Sequence, residues 1–197
     1  AIEAYICNTH TPFTDALALE SIRLVSGALR SAVNDGSDMV ARTDMCWAEY
    51  MAGLSFSNAG LGLVHGIAHQ LGGFYNIPHG LANAIMLPRV LEYNRPYCMK
   101  RLASVAQAMG EKVVNCTVDQ ASKKAIDAVR RLCEDVRIPH LCETKFRMED
   151  IDTLAKHALQ DTATQTNIVR PTLEDVKTII AKTYYEGIVL KKVKENG

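Results

Sequence analysis

Three of the six histidines fall within fifteen residues, at His65, His69 and His79. Imidazole both ligates divalent metals and carries protons near neutral pH, so such a density points to metal or proton chemistry. His65 and His69 are four apart, which on a helix sets them one turn apart on one face, within reach of a common cavity. His79 lies fourteen residues beyond His65. On an unbroken helix that is roughly 21 Å, far beyond a metal bond of about 2 Å. Gly72-Gly73 and Pro78 supply the means to break the helix and return the chain, so that His79 can face His65 from the start of the next helix. The spacing therefore predicts a site split across two helices. His10, His140 and His157 have no such company and read as structural.

One metal chemistry is excluded by the residues themselves. His65-x-x-x-His69 followed by Gly72 approaches the zinc protease pattern HExxHxxGxxH, but Gly66 stands where the water-activating Glu belongs, and the third His comes too late.

The elements that must position these residues all read as helices. Ala1, Ile2, Tyr5 and Ile6 follow a helical rhythm with no initiator Met and no capping residue before them, so the chain is expected to begin inside a helix, as a fragment of a longer protein would. An apolar stripe from Ala16 to Leu29 predicts a helix over about Thr14 to Asn34, ended by Asp35-Gly36. Ser37 can cap the next, which carries Met39 to Leu54 and is interrupted at Ser57 to Gly60. Beyond the His-rich segment a helix is expected from about Leu81 to Tyr93, with Pro88 as a kink or end, and another from Pro96 to about Met109. Thr117 and Gln120 form a capping-box pattern ahead of a helix reaching Val136. Met148 to Leu159 and Leu173 to Tyr185 complete the series. No period-two alternation asks for a sheet, so the predicted fold class is all-α, a single helical metal-binding domain over residues 1–197 with about eight helices.

Composition narrows the function classes. Lys and Arg number 22 against 22 Asp and Glu, so there is no basic field to attract nucleic acid. No apolar run approaches the roughly 20 residues that span a bilayer, and the N-terminal residues lack the features of a signal peptide. The six cysteines include no CxxC pair and show no disulfide frame, which suits reduced thiols in the cytoplasm. A homodimer or higher oligomer is the default expectation.

Against this background, Phe56-Ser57-Asn58-Ala59-Gly60-Leu61-Gly62-Leu63-Val64-His65-Gly66-Ile67-Ala68-His69 and Asn76-Ile77-Pro78-His79-Gly80 resemble the second signature of the iron-containing, group III alcohol dehydrogenases. The likeness is strongest to the lactaldehyde:propanediol oxidoreductase and 1,3-propanediol dehydrogenase branch. It continues more weakly through Thr14-Asp15-Ala16-Leu17-Ala18 and on to Asn167 and Thr172-Leu173-Glu174-Asp175, nearly the whole chain.

The resemblance implies an all-helical C-terminal domain in which His65 and His79 are two of four ligands to Fe(II), while His69 lines the cleft and relays a proton. Phe56 is implied to lie near the nicotinamide or the substrate. Zinc outbinds iron at such sites in the usual divalent order, so the choice of iron follows from the resemblance alone. The remaining ligands, an Asp and a His four residues on, belong upstream of Ala1 and are not in this sequence. Neither is a glycine-rich dinucleotide loop, so NAD or NADP is expected on an N-terminal nucleotide-binding domain that this sequence does not include. The implied reaction interconverts short alcohols or diols and aldehydes. Two readings stay open: half of such an enzyme, or a truncated or degenerate helical domain without activity.

Overall fold

The computed structural model describes residues 1–195. Among them the chain forms eight α-helices joined by turns, three of them 3₁₀, and no strand, as the all-α expectation requires. The helices are α1 (Ile2–Ile6), α2 (Pro12–Asn34), α3 (Met39–Ala59), α4 (Leu63–Tyr75), α5 (His79–Ala108), α6 (Val118–Asp135), α7 (Ile151–Gln160) and α8 (Leu173–Glu195).

Local chemistry sets most of the boundaries. Thr11 opens α2 through a reciprocal capping box with Thr14, and Pro12 takes the first helical position, where a missing N–H costs nothing. Asp38, not Ser37, caps α3. Its carboxylate accepts from Val40 and Ala41 N–H, whereas the Ser37 hydroxyl is held by Asp35 at 2.6 Å. The Thr117 and Gln120 box opens α6 as read from the sequence. Met148–Asp150 is a 3₁₀ turn leading into α7, and α8 runs beyond Tyr185 to Glu195.

The largest departure from the sequence reading is in α5, whose two helical segments meet at a kink at Cys98 and are not parted between Tyr93 and Pro96 as expected. Pro88 neither ends nor breaks it. Proline removes the N–H that Ala84 O would accept, and the Cys133 thiol from α6 lies 3.8 Å from that carbonyl. The helix also continues past Pro96, and its one non-helical residue is Cys98 (φ −138°, ψ 28°). There the Cys98 thiol donates to Asn94 O at 3.2 Å, which keeps that carbonyl satisfied through the kink.

Two buried clusters hold the helices together. One joins Leu63, Ile67 and Leu71 of α4 to Met86 and Val90 of α5, Leu154 of α7 and Ile180 of α8. The other joins Ile6 of α1, Ile22 of α2, Leu102 and Val105 of α5 and Ile126 of α6. Leu87 packs against both, making α5 the shared spine. Full burial of each Leu or Ile contributes about 1.5–3 kcal/mol, so α4, which buries Leu63, Val64, Ile67, Ala68 and Leu71, is anchored by its apolar face. Its other face is left to carry His65 and His69. No helix among the described residues is long and apolar enough to cross a membrane.

Candidate functional site

The N-terminus of α4 begins at Gly62 without a side-chain cap of its own, so its first N–H groups need partners from elsewhere. Leu63 N–H donates to Asn167 Oδ1 at 3.1 Å. Val64 N–H donates to Glu3 Oε1 at 2.7 Å, and His65 N–H to Glu3 Oε2 at 3.3 Å. Glu3 comes from α1 and is buried, a carboxylate placed at the positive end of a helix dipole. Asn167 is fixed in turn by a reciprocal amide pair with Asn94, at 2.9 and 2.8 Å, both residues buried. Helix α4 thus starts on two tertiary caps.

From that start, the three histidines converge. The ring centroids of His65 and His69 are 5.9 Å apart, one turn along α4. His79, the first residue of α5, lies 5.3 Å from His65 and 5.4 Å from His69, stacked on the latter. The split site expected from the spacing is therefore present, but the break falls elsewhere. Gly72 and Gly73 remain helical, and α4 ends at Asn76 (φ 55°), whose N–H donates to Gly72 O at 2.9 Å. Asparagine adopts this left-handed conformation readily because its short amide can hydrogen-bond locally.

Each imidazole has a defined partner. His65 Nδ1 is 2.5 Å from Glu3 Oε2. His69 Nδ1 is 2.9 Å from Asp161 Oδ2, which also accepts from Gln70 Nε2 at 3.2 Å. Asp161 is held by Ala163 N–H, donated to Oδ1 at 2.9 Å, so it caps the 3₁₀ turn Thr162–Thr166 while it grips His69. His79 Nε2 accepts from Asn83 Nδ2 at 3.1 Å, and Asn83 Oδ1 is buried with no partner among the described residues. Burial lowers the pKa of His79, helped by repulsion from His65 and His69, which favours the neutral ring that ligates metals.

The donor set suits a divalent transition metal, because a ligating His characteristically offers its second ring nitrogen to a carboxylate, as His65 does with Glu3. As the side chains stand, no group of three or more His, Cys, Asp or Glu among the described residues is placed to hold an ion. Beside His65, Glu3 and Asn83 border an apolar hollow of about 320 Å³, walled by Ile22, Leu29 and Leu132. Phe56 is more than a third exposed on the last turn of α3 and makes no ring contact with the imidazoles among the described residues.

Sequence reasoning missed Glu3, Asp161 and the Asn94–Asn167 pair. Glu3 carried a faint signal, a single acid in the short apolar run Ala1 to Ile6. Asp161 is 92 positions from His69, and nothing local links them.

Comparison with known proteins identifies the family. Residues 1–184 match the description "Fe-containing alcohol dehydrogenase family, C-terminal". The chain is 46% identical over 177 residues to lactaldehyde reductase of Escherichia coli K12, covering 89% of this chain and 46% of that protein. It is 45% identical over 186 residues to alcohol dehydrogenase 4 of Saccharomyces cerevisiae, covering 93% and 47% respectively. Its fold superposes on the crystal structure of a 1,3-propanediol oxidoreductase with a TM-score of 0.91 at 40% identity, over 92% of this chain and 48% of that one. The chain spans about half the length of the curated relatives it matches. With this likeness running over nearly all its residues, and its histidines gathered from α4 and α5, the chain belongs to the iron-containing alcohol dehydrogenase family, of which it forms the helical C-terminal domain.

Proposed function

We propose that this chain is the metal-holding and proton-handling half of an NAD(P)-linked enzyme that interconverts short alcohols or diols and aldehydes. The observation that carries the reading is the meeting of His65, His69 and His79 from two helices, with His65 and His69 each tethered at Nδ1 to a carboxylate.

His65 and His79 are the residues that would hold the ion, iron or zinc, and the ligand set is completed by upstream residues of the full-length protein. The metal, when bound, supplies Lewis acidity to the substrate oxygen. His69 is assigned to the proton. Asp161 accepts its Nδ1–H, which leaves Nε2 free to take the proton released on alcohol oxidation and to return it on aldehyde reduction. NAD or NADP belongs on the nucleotide-binding domain, and Phe56, more than a third exposed, is assigned a place beside the nicotinamide or the substrate. An apolar hollow beside His65 suits a partner segment or substrate with little charge.

The test uses the full-length protein with short alcohols, diols and aldehydes, following reduced nicotinamide at about 340 nm with metal content measured alongside. His79→Ala is expected to lose both metal and nearly all turnover. His69→Ala should keep its metal and slow by about 10²-fold, the low end for a lost acid-base group. Equal metal loss in both variants would overturn the division of roles, and robust turnover by this chain alone would overturn the reading of it as half an enzyme.

A further inference from the structure

Glu3 does two jobs with one carboxylate. It accepts the N–H groups of Val64 at 2.7 Å and His65 at 3.3 Å, capping α4, and it lies 2.5 Å from His65 Nδ1. An ionised carboxylate only accepts, so Nδ1 must carry the ring proton, and the lone pair is then on Nε2. Among the described residues Nε2 of His65 has no hydrogen-bond partner. The approach is close because residue 62 is glycine: a Cβ there would stand 2.6 Å from Glu3 Oε1. Nor is Glu3 free to swing away. Arg101 of α5 donates from Nε to Tyr5 O at 2.6 Å, stacks 3.9 Å over the Tyr5 ring and pairs with Asp15 of α2, so α1 is clamped from its far end.

We propose that Glu3 is a positioning residue of the metal centre, which fixes His65 as the Nδ1–H tautomer and so presents Nε2 as its ligating atom. The inference rests on the reading of His65 as a ligand. A single group sets both where α4 begins and which nitrogen His65 offers, so the register of the helix and the identity of the donor atom cannot drift apart. A free imidazole samples both tautomers, and the one with Nε2–H has no lone pair there to give.

Glu3→Gln tests this sharply. The amide must turn its NH₂ toward either Val64 N–H or His65. The first choice opposes two donors across a 2.7 Å contact. The second opposes the amide to a backbone N–H at 3.3 Å and allows it to donate to Nδ1. Glutamine should therefore drive His65 to the Nε2–H tautomer. The full-length protein, freed of metal and labelled with ¹⁵N-histidine, is examined by two-bond ring ¹H–¹⁵N correlation at about pH 8, above the imidazole range, and then titrated with Zn(II).

In the wild type, His65 is expected to show a protonated Nδ1 and a bare Nε2. Glu3→Gln should reverse the pattern and weaken the Zn(II) response of His65 by about 10- to 100-fold, the usual effect of losing such a partner. A wild-type His65 that is Nε2–H, or that averages both forms, overturns the proposal even if Zn(II) still binds, and this measurement stands if the variant does not fold. A wild-type tautomer as expected with no Zn(II) response at His65 overturns the reading of His65 as a ligand, and with it a role for Glu3 at a metal centre. Unchanged tautomer and affinity in a folded Glu3→Gln chain also overturn the proposal.

Discussion

Gly66 is where the sequence ruled out a protease glutamate, and the structure supplies a different reason for what stands there. A Cβ at residue 66 would lie 2.0 Å from Thr164 Oγ1, 3.2 Å from Ala158 O and 3.3 Å from Thr164 Cβ. Thr164 is buried, and its hydroxyl donates to Ala158 O at 2.6 Å, closing α7 onto the 3₁₀ turn that follows. Gly66→Ala must displace that hydroxyl. Leaving a buried carbonyl unpaired costs about 1–3 kcal/mol, and forcing a methyl into a filled core costs about 1–3 kcal/mol more. Better helix propensity returns about 1 kcal/mol. The expected loss is about 3 kcal/mol. Urea denaturation of the chain should show the midpoint falling by about 1.5 M, for a slope near 2 kcal/mol/M. Adding Thr164→Ala should recover part of the loss, since the hydroxyl is the closest obstacle, and the double-mutant cycle should give a coupling of about 1–2 kcal/mol. Gly66→Ala at or above wild-type stability would show that propensity governs residue 66 and that the contact with Thr164 does not.

Two further outcomes follow from the same geometry. Asp161→Asn keeps an oxygen for Ala163 N–H but sets an amide against His69 Nδ1 and Gln70, so in the full-length enzyme turnover should drop by about 10- to 100-fold while metal content holds, and parallel loss of metal would refute the separation of His69 from the ligands. Burial pushes the thiols of Cys98 and Cys133 from 9.0 up to about 11. Their folded-state pKa is raised, so the unfolded chain loses these protons first. Stability should be intact below about pH 9 and decline as the pH rises toward 11, with exposed Cys46 reacting with a thiol reagent at neutral pH while Cys98 and Cys133 stay protected. Early modification of these two in the native chain would contradict the burial of Cys98 and the partial burial of Cys133.

Much of the helical framework was legible from periodicity and caps alone, because those signals are local. The capping box of Thr117 and Gln120 spans only three residues of chain, and it appears as read. The same holds for the histidines: four residues on a helix give one face whatever surrounds it, and a fourteen-residue gap requires a fold-back if His79 is to join them. What local reasoning could not reach depends on partners distant in sequence. Pro88 lies inside the first helical segment of α5, with the Cys133 thiol over the freed carbonyl, so an intrinsic helix breaker is tolerated where a tertiary partner meets the group it leaves unpaired. The turn before His79 is made by a left-handed Asn76, while the glycine pair that seemed the obvious hinge stays helical. The carboxylates behind the histidines were decided entirely by the tertiary fold. Glu3 meets His65 across 62 positions and Asp161 meets His69 across 92, and a carboxylate's hold on an imidazole depends on a separation of about 3 Å that no spacing along the chain encodes.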